Sequence, residues 1–289
     1  MCRNLLLAAL AVALVAGPAL AGAAAPPPSA HQKFASAQVV VVGKVTAIEK
    51  NTVDASSPYI GAKDKVAYKV AVVKIETDLG GAAGLTHIKV GFVPPDPNAP
   101  PLRGSGGVIR PREPVPELAD GQRVLVYLCK HPTADFYVMP YRNLPANLGA
   151  PGGAAELEQI KKFAAATADP LKGLKSDKAE VRIETAAMLV AKYRAYPALA
   201  AGTDQVAVPA EESKLILKAI ADAEWDARAV RTPAGVEAFF QLGLTDKDGW
   251  KQPQPKPGEN YYAAIKAAYV KWLDGPGKDY QLKKVVAKK

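Results

Sequence analysis

The chain has 289 residues, 49% of them hydrophobic and 22% charged, with a formal net charge of +9. That length suggests two domains of about 100–200 residues each, and 23 glycines with 25 prolines stay below the level at which compositional disorder becomes the default. Basic charge is spread rather than concentrated: residues 31–148 carry 14 Lys and Arg against 10 Asp and Glu, and residues 149–289 carry 22 against 18, which argues against a nucleic-acid groove.

The first 25 residues have the pattern of a secretion signal. Arg3 supplies a positive start, residues 5–15 an apolar run, and Pro18 a break before Ala19-Leu20-Ala21, an A-x-A cleavage signal. A spanning helix wants about 20 strongly apolar residues, and this alanine-rich stretch is interrupted by proline, so no membrane span is expected after cleavage. The expected location is periplasmic or extracellular. Cleavage removes Cys2 and leaves Cys129 alone, so no intrachain disulfide forms and stability rests on cores. Cys129 lies in an apolar run and is expected to be a small buried hydrophobe.

Residues 26–33 are expected to be a linker leading to Phe34 and the first strand. Residues 39–49, VVVVGKVTAIE, form that strand, with Gly43 marking a bulge or bend. Residues 66–77 alternate as Val66, Tyr68, Val70, Val72 and then change phase to Val73 and Ile75. Such a slip moves the apolar set to the other face and predicts a second bulge near Val72. Ile88, Val90 and Phe92 share one face of a third strand over 87–93. Residues 94–120 hold eight prolines together with Arg103, Arg110 and Arg112, which makes regular structure there improbable and the loop a candidate recognition surface. The turn Asp120-Gly121 precedes strands over 122–129 and 136–139, joined by a segment short enough for a hairpin.

From Leu144-Pro145 to Gly153 the composition becomes that of an interdomain linker, and from Ala154 the apolar period is helical. Leu157, Ile160 and Phe163 mark one helix. Asp177 and Glu180 are spaced as a capping box, followed by two stripes, Val181/Thr185/Leu189 and Ile183/Ala187/Val190, which imply burial on two sides. Further helices are expected over 210–224, over 233–242 capped by Thr232 with Pro233 in the first turn, and over 261–273 capped by Asn260. The lysines at 283, 284, 288 and 289 are expected to be a mobile tail.

Two resemblances attach to these segments. VVVVGKVTAIE, VAYKVAVVKIETDLGG, THIKVGFV and ADGQRVLVYL resemble the oligonucleotide/oligosaccharide-binding (OB) barrel of netrin modules and tissue inhibitors of metalloproteases. The resemblance implies a five-stranded antiparallel OB-like β-barrel over 34–143. Those inhibitors chelate the protease zinc through an amino-terminal cysteine and are laced with disulfides; the mature chain has neither, so that mechanism does not carry over. DPLKGLKSDKAEVRIETAAMLVAKYR, residues 169–194, resembles a HEAT repeat hairpin and implies a small helical bundle over 154–289. The fold class expected is therefore multi-domain, β followed by α.

Chemistry is sparse. His31, His87 and His131 have no metal-ligand spacing, although Cys129, His131 and Asp135 lie close in sequence. No G-x-S-x-G elbow occurs, the Gly104–Gly107 stretch lacks the lysine of a phosphate loop, and the pairs Glu211/Glu212 and Asp246/Asp248 suit helix starts. No catalytic residue, metal or cofactor is assigned. The function expected is that of a secreted, non-enzymatic protein-interaction module whose partner is another envelope or extracellular protein, with Arg103, Arg110, Arg112, Tyr127 and Tyr137 as candidate binding residues. An enzyme or accessory acting on an extracellular polymer, and a polyanion-binding protein, are the alternatives.

Overall fold

The computed structural model describes residues 28–57, 65–94, 102–103, 109–110, 116–140, 142–225, 234–255 and 258–288. In chain order the elements are α1 (Ala30–Ser36), β1 (Val39–Ile48), β2 (Val53–Ser56), β3 (Lys65–Gly80), β4 (His87–Phe92), β5 (Leu102–Arg103), β6 (Ile109–Arg110), β7 (Arg123–Lys130), β8 (Tyr137–Val138) and β9 (Ala146–Asn147). They continue with α2 (Gly153–Ala168), α3 (Pro170–Leu174), α4 (Ala179–Arg194), β10 (Thr203–Ala207), α5 (Ala210–Asp222), α6 (Ala234–Leu242), a 3-10 turn at Asp246–Asp248, α7 (Tyr261–Asp274) and β11 (Lys283–Ala287). The expected signal segment and the Thr232–Pro233 cap lie outside the described residues.

The main sheet has seven strands in the order β1-β3-β4-β8-β7-β9, with β2 paired to β3 and a further pairing between β1 and β7. It is mixed. Every ladder is antiparallel except β4–β8, where Val90 faces Tyr137 in parallel, so the expected all-antiparallel five strands are corrected on both counts. The parallel pairing arises because β7 lies beside β1, and the turn after it brings β8 back alongside β4.

The four consecutive valines of β1 follow from burial on both faces, where alternation is not required. Val39, Val41 and Val45 pack with Ala71, Val73, Val90, Val126 and Leu128, whereas Val40 and Val42 pack with Phe34, Leu125, Tyr127, Ile160 and Phe163. The second cluster joins the sheet to α1 and α2. Gly43 is required by close approach: a Cβ there would sit 2.5 Å from Val73 Cγ1 and 2.6 Å from the Lys74 carbonyl oxygen. The register slips at Val42/Gly43, as the glycine predicts. The bulge expected at Val72 is displaced. The β3–β4 register runs unbroken from Lys69 to Lys74, and the extra residue is Thr46 of β1, between the pairs Val45–Val73 and Ala47–Val72. The phase change in β3 instead marks a strand that serves two cores, with Tyr68 and Val70 in a cluster with Phe136 and Val138 and Ala71 and Val73 in the main one.

Helix α4 is the hub of the helical region, touching α1, α2, α3, α5, α6 and β11. Of the two expected stripes, Thr185, Leu189 and Val190 are buried together with Ala186, Ile183 and Ala187 are partly buried, and Val181 at the start of the first stripe is exposed. Its start differs from the expected capping box: Lys178 is the N-cap, and its N–H donates to Ser176 Oγ at 3.3 Å. The α5–α7 side is filled by aromatic rings, with Phe239 5.1 Å from Tyr269 and 5.2 Å from both Trp225 and Trp250. Trp225 donates to the Ile220 carbonyl at 3.0 Å and Trp272 to that of Asp248 at 2.9 Å, so their polar edges are satisfied as buried indoles require. Asn260 caps α7 as expected, accepting from Tyr262 and Ala263 N–H.

Four segments differ from the sequence expectation. Within residues 94–120, β5 and β6 form a short antiparallel ladder despite the prolines. The linker over 26–33 gives way to α1 at Ala30, and the one over 144–153 contains β9, paired with β7. The basic tail is structured: Lys283 to Ala287 form β11, paired residue by residue with β10. Among the described residues no helix is long and apolar enough to cross a membrane.

Candidate functional site

Helices α4 and α6 present small residues to one another, and with α2 they leave a groove. On α4, Glu184, Ala187, Met188 and Ala191 follow an i, i+3, i+4, i+7 spacing that places them on one face. Ala234, Glu237, Ala238 and Gln241 repeat that spacing on α6, and Gln159, Lys162 and Phe163 of α2 complete the walls. Opposed alanines cannot fill the space between helix axes, and a groove of about 390 Å³ remains.

His31 of α1 closes one end. Its ring stacks on Phe163 with centroids 5.7 Å apart and planes 9° from parallel. Its Nε2 lies 3.0 Å from Ser29 Oγ and 4.0 Å from Glu237 Oε1, and that carboxylate also accepts from Gln241 Nε2 at 3.2 Å. The groove thus combines an apolar floor of Phe163, Met188 and alanines with a rim of two carboxylates, two amides, an imidazole and an ammonium. Such a lining suits a chain segment with apolar and polar side chains. A larger cleft of about 820 Å³ runs between α5 and α7, but Lys218 and Asp222 on its wall already pair with each other at 3.0 Å.

The interior ionisable groups are committed to structural partners. Tyr127 on β7 donates to Glu156 Oε1 at 2.7 Å, and Lys33 Nζ lies 2.9 Å from the same oxygen; burial and the Glu156 carboxylate push the Tyr127 hydroxyl far above its ordinary range. Tyr193 donates to Glu212 in the same way and is shifted upward by the same causes. Lys192 Nζ donates to the carbonyls of Phe34, Ala35 and Ala37 at 3.4, 3.2 and 3.3 Å, closing the last turn of α1. His131 is buried with Nε2 2.9 Å from the Ser56 carbonyl and Nδ1 accepting from Thr133 N–H at 3.1 Å. The Cys129 thiol points at the Ser36 carbonyl, 3.8 Å away, and burial raises its pKa, the opposite of what activates a nucleophile. Among the described residues no three His, Cys, Asp or Glu side chains are placed to hold a metal ion.

The candidate binding residues fall on four different strands or outside the described residues. Arg103 and Arg110 lie on β5 and β6, a two-residue ladder in which Arg103 faces Ile109 and Arg110 faces Leu102; Arg112 is outside the described residues. Tyr127 is fully buried and offers no surface to a partner. Tyr137 is half-buried against the other sheet core, with Lys130 Nζ 5.3 Å from its ring centroid. The groove residues were missed because the sequence reading weighed helical spacing for burial alone; the repeated Glu-x-x-Ala pattern of 184–187 and the Ala-x-x-Glu pattern of 234–237 were the available signal. No protein-family model matches the chain, and no curated protein matches it.

Proposed function

We propose that this is an exported, non-enzymatic protein-interaction module, in which an OB-like barrel and a HEAT-like helical unit support a docking groove for a segment of another envelope or extracellular protein. The observation that carries this reading is the α2–α4–α6 groove: an open apolar floor with a polar rim, in a molecule whose interior carboxylates, tyrosines and lysines are spent on holding elements together. The barrel reading draws support from the circuit of pairings, β1 to β3, β4, β8, β7 and back to β1. The HEAT-like reading draws on the short helix α3 followed by α4 and its two-sided burial.

Filling the groove tests the proposal. Ala191→Trp places a large ring at a partly exposed position of the groove wall, outside the fully buried core. Proteins recovered from envelope and extracellular fractions by the full chain are expected to be lost with Ala191→Trp and kept with Arg103, Arg110 and Arg112 all replaced by alanine. Equal recovery by the groove-filled variant, or loss with the arginine variant alone, overturns the assignment to the groove.

A further inference from the structure

Strand β10 is an open sheet edge. Each of its residues is exposed, and among the described residues it pairs only with β11. The alternation of an antiparallel ladder fixes which backbone groups face the partner strand. Val208 N–H donates to the Leu282 carbonyl at 2.8 Å and Lys288 N–H to that of Gly202 at 2.9 Å, so the residues of β10 turned toward β11 are Asp204 and Val206. The N–H and C=O groups of Thr203, Gln205 and Ala207 therefore point outward, and among the described residues no hydrogen bond engages them. Sheet edges are ordinarily blocked by proline, bulges or charge. The sequence TDQVA has no proline and one charge, and its register with β11 is unbroken.

The charge beside this edge selects its occupant. Lys283 and Lys284 lie on β11 and Lys288 just beyond it. Because neighbouring strand residues point to opposite faces, Lys283 and Lys284 emerge on the two faces of the ladder, against the single carboxylate of Asp204. A strand added to β10 lies about 4.8 Å beyond it and about 10 Å from β11, a span that a lysine and a glutamate bridge when each extends toward the other. A second copy of this chain fits less well. Two five-residue edges bury far less than the roughly 1,600 Å² of a standard interface, and the pairing would join two lysine-rich ladders in one sheet.

We infer that β10 accepts, by strand addition, an extended acidic segment of a partner protein, hydrogen-bonded to Thr203, Gln205 and Ala207 and held by Lys283 and Lys284. This site is separate from the groove and does not depend on it. Main-chain pairing supplies the affinity of such additions and side chains the selectivity.

The probe is a blocked peptide of glutamate and valine in Glu-Glu-Val-Val order, about seven residues long, so that carboxylates emerge on both faces of the added strand. It is compared with its lysine–valine counterpart and titrated against the full chain with amide hydrogen exchange as the readout. The acidic peptide is expected to protect the Thr203, Gln205 and Ala207 amides, and to bind less tightly as salt is raised. Gln205→Pro is expected to weaken binding by about tenfold or more, because proline removes an outward donor, while Asp204 and Val206 stay protected. If that variant loses protection at Asp204 and Val206, the decision passes to Lys283→Gln with Lys284→Gln, which leaves the backbone alone and is expected to abolish the preference for the acidic peptide. Equal binding of both peptides, no protection of the three outward amides, or binding unchanged in the variants overturns the inference. Retention on heparin without peptide binding assigns the lysines to a polyanion surface and also overturns it. Self-association lost in Gln205→Pro does the same in favour of a second copy.

Discussion

The hydroxyl of Tyr127 on β7 and the carboxylate of Glu156 on α2 meet at 2.7 Å, and Lys33 of α1 lies 2.9 Å from the same carboxylate oxygen and 5.3 Å from the Tyr127 ring centroid. One carboxylate thus ties the sheet, the first helix and the second helix together.

Removing the parts of this junction should cost unequal amounts. Tyr127→Phe removes one donor but leaves Lys33 paired, and is expected to destabilise the fold by about 1–2 kcal/mol. Glu156→Ala leaves a buried hydroxyl unpaired and the largely buried Lys33 ammonium with only the Leu144 carbonyl at 3.4 Å, and is expected to cost about 3–5 kcal/mol. Urea unfolding of both variants and of the double variant measures the coupling; equal losses from the two single changes would contradict the junction.

Lys192 is expected to fasten the amino-terminal helix. Its ammonium meets three carbonyls at the end of α1 and lies 5.2 Å from the Phe34 ring centroid. Lys192→Met keeps the stem and removes the donors, so a loss of about 1–3 kcal/mol should appear with faster proteolysis between Ala30 and Ala37. Unchanged cleavage in that segment would show that packing of Phe34 alone holds the helix.

Alkaline pH should unfold the protein through its tyrosines. Burial raises the pKa of Tyr127, Tyr193, Tyr269 and Tyr280, helped by Glu156 at Tyr127 and by Glu212 at Tyr193. Above about pH 10, the ordinary tyrosine value, the unfolded chain releases these protons while the native state still holds them. The native state then binds more protons, so stability falls as pH rises. Absorbance at the phenolate band is expected to show these four tyrosines ionising only together with loss of near-ultraviolet circular dichroism. A single smooth titration with the fold intact would contradict this.

Much of the β region was readable because its signals are local. The valine run of residues 39–42, the glycine at 43 and the Ile88/Val90/Phe92 face each follow from what neighbouring residues can bury. What stayed hidden depends on distant partners. Helix α1 has seven residues, too few to persist alone, and exists because Phe34 packs on Phe163 and Lys192 closes its end. Lysines 283 and 284 resemble a solvated tail until residues 203–207, about eighty positions earlier, pair with them. Tyr127 is a plausible surface residue on an alternating strand, but β7 is buried on both sides, and its hydroxyl finds Glu156 rather than water. The groove is hidden for a related reason: Ala187 and Ala191 each look like helix filler, and only the packing of α4 against α2 and α6 leaves a groove beside them.

The most direct test of the docking groove is photo-crosslinking from inside it. A photoreactive amino acid at Met188 or Gln241 of the full chain, exposed to the native envelope and extracellular fractions, should give the same discrete adduct from both positions, lost when Ala191→Trp is added. A control position at Leu85, on the exposed turn before β4, should give none of it. No adduct from the two groove positions, or the same adduct from Leu85, would contradict the groove as the site where this protein meets its partner.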